Sequence, residues 1–226
     1  MSTVFITGAG QGLGHAFIEV YFSAGWHVIA TCRDPLQVTA LKSTYPGIDV
    51  YPLDVTDSNQ LTDIAASLKG QPIELLINNA AWVIKESKLA DITYQVWERA
   101  MHTNAFAWLK VTTALLESLQ LATDSKVICI SSQMGSITEN VTGGKYIYRA
   151  TKAAANMIAK NLAIELKPIR ILVTAIHPGW LQTRLGGPQA PTTTIAGAAQ
   201  IKQLVEKLTL EDTGKFLDTT GEIIEW

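Results

Sequence analysis

Val4-Phe5-Ile6-Thr7-Gly8-Ala9-Gly10-Gln11-Gly12-Leu13-Gly14 passes from an apolar run straight into a glycine-rich turn, and a helical pattern follows at 13–24. A short run that is apolar on both faces belongs to a strand covered by helices on each side. Glycines in the turn let the backbone approach a pyrophosphate, and the start of the helix offers unpaired N–H groups and a favourable dipole. The G-x-G-x-x-G spacing is not met, because Leu13 stands where the third glycine would be; the spacing that holds is T-G-x-x-x-G-x-G. The position of the turn, after the first strand, carries the nucleotide reading more than the glycines do.

The alternation continues along the chain. Strands are expected at 4–7, 27–31, 49–52, 73–78, 126–131 and 170–176, with a weaker one at 214–217. Helical patterns lie near 13–24, 35–44, 57–68, 92–120, 148–166 and 196–208, the third capped by Thr56 or Asp57 and the fifth stopped by Pro168. This order predicts an α/β fold, a doubly wound, seven-stranded parallel sheet with helices on both faces, as a single domain over 1–226. Ligands then bind outside the carboxyl ends of the strands. The irregular stretch 178–195, rich in Gly, Pro and Thr, reads as a short binding loop or lid at that edge.

Bulk properties narrow the function classes. A hydrophobic content of 47% against 17% charged residues supports one buried core and excludes disorder. A formal net charge of −2 without a basic run argues against nucleic-acid and anionic-membrane surfaces. No apolar run approaches the ~18 residues of a membrane span, and the first residues lack the basic start of a signal peptide. The two cysteines, Cys32 and Cys129, lie in apolar strand-like runs, which disfavours a disulfide framework and suits a reducing cytoplasm. The four histidines and two cysteines show no metal-ligand spacing.

The chemistry is carried by Tyr148-Arg149-Ala150-Thr151-Lys152. Tyrosine and lysine four apart share one helical face, roughly 6 Å apart along the axis. A free phenol titrates near ~10, and a cation one turn away is expected to lower that value. The pair reads as a proton donor and acceptor for a carbonyl and its alcohol. Ser132, at the end of the fifth strand, could bond the substrate oxygen, or Ser131-Ser132 could simply form a turn. Beside a nucleotide turn, these residues point to hydride transfer.

Other positions complete the expected cofactor site. No carboxylate follows the second strand until Asp34, and Arg33 is the obvious partner for a 2′-phosphate, which favours NADP(H) over NAD(H). Asp54, followed by Val55, either accepts from an adenine amino group or caps the next helix. Asn78-Asn79-Ala80-Ala81 ends the fourth strand with small residues that would allow a cofactor to press close. Asn104 lies inside a helical pattern. Trp82, Met134, Tyr146, Trp180 and Leu181 are candidate walls of an apolar pocket, with core packing as the alternative.

In this order and spacing the set resembles the short-chain dehydrogenase/reductase family in its shorter, non-extended branch, with a Rossmann-type fold; the extended branch would want glycine where this chain has Gln11. The likeness runs through Thr7-Gly8…Gly12-Leu13-Gly14, Asn78-Asn79-Ala80, Asn104, Ser132, Tyr148…Lys152 and Pro178-Gly179. Ala30-Thr31-Cys32-Arg33-Asp34, Tyr146-Ile147-Tyr148 and His177-Pro178-Gly179-Trp180 resemble the C-factor and Sniffer-type carbonyl reductase subgroup. The resemblance implies Tyr148 as general acid in reduction, Lys152 lowering its pKa and holding the nicotinamide ribose, and Ser132 orienting the carbonyl oxygen. It implies Asn104 holding a water that links Lys152 to solvent, and Pro178, Gly179 and Thr183 at the nicotinamide end. The glycine loop residues Gly8, Gln11, Gly12, Leu13 and Gly14 would hold the pyrophosphate. It also implies a homodimer or homotetramer built on the helices at 92–120 and 148–166, a small carbonyl or alcohol substrate, and, as the rival reading, an NAD(P)-binding regulatory protein of the C-factor type. Ala81 replaces a usual glycine, and Gln11 a basic residue frequent in NADP users, which leaves 2′-phosphate recognition to Arg33.

Overall fold

Alternation of buried side chains along each strand builds the sheet. In β1 (Thr3–Ile6), Val4 and Ile6 enter the core of one face and Phe5 that of the other. The same split recurs in β2 (His27–Cys32), β4 (Leu75–Asn78), β5 (Lys126–Ile130) and β6 (Leu172–Ile176). With β3 (Asp49–Pro52) and β7 (Phe216–Leu217) they form a seven-stranded sheet in the order β3-β2-β1-β4-β5-β6-β7, every neighbouring pair parallel. The computed structural model describes residues 1–83 and 92–226.

One face is covered by α1 (Gly12–Ser23), α2 (Pro35–Thr44) and α8 (Thr194–Lys207), which bury Phe17, Tyr21, Leu41, Ile201 and Leu204. The other is covered by α3 (Ser58–Ser67), α5 (Ala107–Ala114), α6 (Leu116–Leu121) and α7 (Tyr146–Leu166), with Ile64, Trp108, Leu119, Ala155 and Leu162 inside. The chain winds outward from β1 to β3, then returns to the other side of β1 as β4. The crevice between the carboxyl ends of β1 and β4 is therefore the switch point where such sheets bind ligands. Among the described residues no helix is long and apolar enough to cross a membrane.

Several boundaries differ from the sequence reading. The pattern at 92–120 is not one helix: α4 (Tyr94–Met101) passes through a π-turn at His102–Phe106 before α5, and α6 follows after Leu115. The wider turn brings Asn104 wholly inside, 0% exposed, where its amide finds fixed partners. Helix α7 begins at Tyr146, two residues early, after Lys145 in a left-handed conformation at φ 49°. Asp57, not Thr56, caps α3, its carboxylate accepting from the N–H groups of Asn59 and Gln60 at 2.9 and 3.2 Å. Past Leu166, the residues Lys167–Ile169 tighten into a 3-10 turn around Pro168.

Candidate active site

The glycine turn is braced by residues on the adjacent strand end. Thr7, 1% exposed, accepts with its hydroxyl from the N–H groups of Asn79 at 2.9 Å and Ala80 at 3.0 Å. The Asn79 amide donates in return to the carbonyls of Thr7 and Gly8 at 2.9 and 3.1 Å. Gly8 adopts φ +67°, and a Cβ there would stand 2.8 Å from Ala80 Cα. A Cβ at Gly14 would meet the Gly8 carbonyl at 2.2 Å, so the turn closes tightly on the first turn of α1. Gln11 sits in extended conformation before α1, exposed, while Leu13 is buried in the core and offers the turn only its backbone. Gly12 faces the far loop: a Cβ there would lie 3.8 Å from Thr183 Cγ2.

That loop is ordered by its own hydrogen bonds. Thr183 accepts from Gly186 N–H at 3.0 Å, Trp180 Nε1 donates to the Gly186 carbonyl at 2.8 Å, and Gln182 N–H donates to the Thr192 carbonyl at 2.8 Å. Pro178 and Gly179, half-buried, lead into it from β6. Trp180 is exposed, whereas Leu181 packs against Gly197 of α8 and belongs to the core rather than to a pocket wall.

Across the sheet edge, Ser132, Tyr148 and Lys152 come together. Ser132 follows β5 and caps the short turn Gln133–Gly135, its Oγ accepting from Met134 N–H at 3.2 Å. The Ser132 and Tyr148 hydroxyls are hydrogen-bonded to each other. Lys152 is 2% exposed; its Nζ lies 6.0 Å from the centre of the Tyr148 ring and 5.1 Å from that of Trp108, and donates to the Ile130 carbonyl at 2.8 Å. The shared helical face is thus real, but its electrostatics differ from the simple expectation. Burial pushes the Tyr148 phenol up, and the hydrogen bond from Ser132 draws it only part of the way back. Burial also lowers Lys152 to about 8. Cys129 beside it, pushed up to about 12 by its own burial, is a neutral thiol and supplies no anion.

Asn104 bridges two segments of the chain through its side-chain amide. Its Oδ1 accepts from Trp82 N–H at 2.6 Å, and its Nδ2 donates to the Trp82 carbonyl at 2.9 Å and to Thr151 Oγ1 at 3.2 Å. Thr151 in turn donates to the Tyr148 carbonyl at 3.0 Å, so Asn104 fixes the start of α7 to the irregular segment that follows β4.

The residues expected at the purine end, Arg33 and Asp54, lie together at a second cleft, open and about 350 Å³ in volume. Asp54 does not cap α3; its carboxylate accepts from Thr56 N–H and Oγ1 at 3.0 and 2.7 Å. Burial raises Asp54, but the bonds from Thr56 and the charges of Arg33 and Arg99 outweigh this and hold it below the usual carboxylate range. Val55 is packed into the core, which leaves its backbone alone to face a ligand. Asn78 is buried too, donating to Thr112 Oγ1 at 3.2 Å, and so anchors α5 rather than lining the crevice.

A braced glycine turn at a switch point, with Ser, Tyr and Lys converging on the same edge, is a fold-specific arrangement, and a family model described as short chain dehydrogenase matches residues 2–194. The chain belongs to the short-chain dehydrogenase family. Within that family it is similar to the "C-signal" of Myxococcus xanthus, 34% identical over 155 residues that cover 69% of this chain and 93% of the relative. Among solved structures, carbonyl reductase Sniffer of D. melanogaster superposes with a TM-score of 0.94 at 28% identity, covering 100% of both chains. An NADPH-bound carbonyl reductase from chicken fatty liver superposes with a TM-score of 0.92 at 30% identity, covering 100% of this chain and 99% of the other. These likenesses agree with the subgroup that Ala30–Asp34 and the His177-Pro178-Gly179-Trp180 stretch suggested.

Sequence reasoning missed Thr7 as a brace, Thr151 as the link from Asn104 to α7, and Arg99 in the cleft. Each depends on a contact between residues far apart in the chain. The only available signal was the hydroxyl at the strand end for Thr7.

Proposed function

We propose that this chain is an NADP(H)-dependent oxidoreductase that interconverts a ketone or aldehyde and its alcohol. The observation that carries the reading is the Ser132–Tyr148 hydroxyl pair, hydrogen-bonded above a buried Lys152 at the edge that the glycine turn shares. The residues present suit a dinucleotide: Gly8 and Gly14 leave a surface that a Cβ would fill, and the cleft at Arg33 and Asp54 can take the purine end. The turn at Gly8, Gly12 and Gly14, with Arg33, Asp54, Asn79, Ala80, Lys152, Pro178, Gly179 and Thr183, would hold the cofactor, which supplies a hydride when bound. The NADPH-bound relative at 30% identity supports the choice of NADP(H).

The chain's own groups then handle the oxygen. Two hydroxyls on one site, Ser132 Oγ and Tyr148 Oη, orient a carbonyl and stabilise the charge that develops on its oxygen. Burial keeps the phenol protonated at neutral pH, which readies Tyr148 as the acid of the reductive direction. Lys152, lowered to about 8, is still a cation at neutral pH, and it stabilises the phenolate left when the proton has gone. Two buried free thiols suit a cytoplasmic protein, and exposed Phe106, Met157 and Ile164 on the helices of 92–120 and 148–166 suit a homo-oligomer.

The test is NADPH oxidation over a panel of aromatic ketones, quinones and aldehydes. Tyr148→Phe is expected to lower kcat by ~10²–10⁴-fold while NADPH affinity is kept. Undiminished turnover in that variant would remove Tyr148 as the acid. No turnover by the wild type, with NADPH binding retained, would favour the regulatory reading suggested by the likeness to C-signal.

A further inference from the structure

The cleft at the purine end has a wall that neither the sequence pattern nor the catalytic reading assigns. Arg99 and Thr103, four residues apart where α4 runs into the π-turn, border it together with Arg33, Asp54 and Thr56. Arg99 is pinned from behind: its guanidinium carbon lies 4.4 Å from the centre of the Trp82 ring. Trp82 is itself fixed at both its N–H and its carbonyl by Asn104. Neither Arg33 nor Arg99 forms a salt bridge with a carboxylate among the described residues. Glu98 stands beside Arg99 on the same border, and its negative charge disfavours a phosphate on the α4 side while leaving a neutral ring acceptable.

A guanidinium is planar and stacks on π faces, whereas an ammonium does not offer a plane. With the Trp82 indole beneath it, Arg99 can present its guanidinium to the cleft, so that the group is already held over one π face before a ligand ring arrives. The entropy of ordering a long side chain is then largely spent in the folded protein rather than on binding. We propose that Arg99 is a purine-binding residue: held on Trp82, it stacks against the adenine ring of the dinucleotide, while Arg33 in the same cleft takes the 2′-phosphate. The two arginines divide the labour, one answering to the ring that all adenine dinucleotides share and one to the phosphate that distinguishes NADP(H). Trp82 and Asn104 act as positioning residues for it, which ties the purine end to the start of α7. This inference rests on the dinucleotide reading above.

The experiment is calorimetric titration of the wild type, Arg99→Ala, Arg99→Lys and Arg33→Ala with NADPH, NADH and ADP-ribose, the last of which lacks both nicotinamide and 2′-phosphate. Arg99→Ala is expected to weaken all three ligands by a common factor of about tenfold, and Arg99→Lys to recover little of it, since charge without the plane is insufficient. Arg33→Ala is expected to weaken NADPH alone. A loss in Arg99→Ala confined to NADPH would make Arg99 a phosphate contact and overturn the proposal, as would unchanged affinity for all three or full recovery by lysine. Loss of NADPH preference in Arg33→Ala beside a wild-type Arg99→Ala would leave the dinucleotide reading standing and remove only Arg99. A wild type that binds none of the three ligands would remove both. Because Arg99 is exposed on α4, the fold of each variant is checked by its thermal midpoint.

Discussion

Replacing Lys152 with methionine is expected to make the protein more heat-stable while removing its turnover. The lysine is 2% exposed, and burial brings it from its ordinary value of 10.5 to about 8. At about 1.4 kcal/mol per pH unit, that gap means that holding the cation inside costs about 3 kcal/mol relative to the unfolded chain. No carboxylate offsets it among the described residues: the ion pairs lie elsewhere, and Cys129 is neutral. Methionine has a similar length, fills irregular space and carries no charge. It forfeits the bond from Nζ to the Ile130 carbonyl and the cation above Trp108, together about 1–2 kcal/mol. The net gain is about 1–2 kcal/mol, which for a chain of this size raises the thermal midpoint by roughly 2–8 °C. The sign in pH follows from a native value below the unfolded one. Below about 8 both states hold the proton and the penalty is complete; between about 8 and 10.5 the native state releases it first, and the wild type gains stability as pH rises. The advantage of Lys152→Met over the wild type is therefore widest at neutral pH and closes by about pH 10.5. Differential scanning calorimetry without cofactor across pH 6 to about 10 reads both. A midpoint that falls at neutral pH, or a difference that does not change with pH, would refute the argument that a buried unpaired ammonium is held here at the expense of stability.

Two further substitutions test the cofactor site. Arg33→Ala is expected to raise KM for NADPH by about ten- to a hundredfold and to leave KM for NADH nearly unchanged, from the ~1.5–3 kcal/mol of a charge-assisted contact; equal effects in steady-state kinetics with both cofactors would withdraw the assignment of Arg33. Thr7→Val keeps the shape of the strand end but leaves the N–H groups of Asn79 and Ala80 without their acceptor. We expect a loss of about 2–3 kcal/mol, seen as a lower urea midpoint, together with weaker NADPH binding as the glycine turn loosens. A stability unchanged by that variant would mean that Thr7 is not the brace described.

The sheet was legible because its signal is local. A strand apolar on both faces can only lie between two helical layers, so the runs at 4–7, 27–31 and 126–131 announced a parallel sheet, and the alternation of elements gave its winding. Where the reading failed, a distant contact overrode a local pattern. Nothing in Trp97-Glu98-Arg99-Ala100-Met101-His102-Thr103-Asn104 breaks a helical period, yet the helix takes a π-turn there. At that turn Asn104 meets Trp82, whose backbone N–H and carbonyl both need partners inside the protein and find them on its amide. A residue more than twenty positions away cannot be read from propensity.

The same distinction separates the parts of the site. Tyr148 and Lys152 were found because i, i+4 spacing is a property of one helix, and Gly8 and Gly14 because a turn that admits no Cβ can be seen in the residues themselves. The sign of the Tyr148 shift was misjudged for a related reason. Proximity of Lys152 along the helix suggested that the phenol would be lowered, but an isolated helix says nothing of what covers it. Once α7 packs against α5 and the sheet, loss of water acts on the phenol and the ammonium together, raising one and lowering the other. Both shifts favour the neutral forms, because burial penalises whichever form carries the charge. Around Tyr148, the Ser132 hydroxyl is the group that counters its burial, a contact that the two sequence positions, sixteen apart on different elements, do not announce.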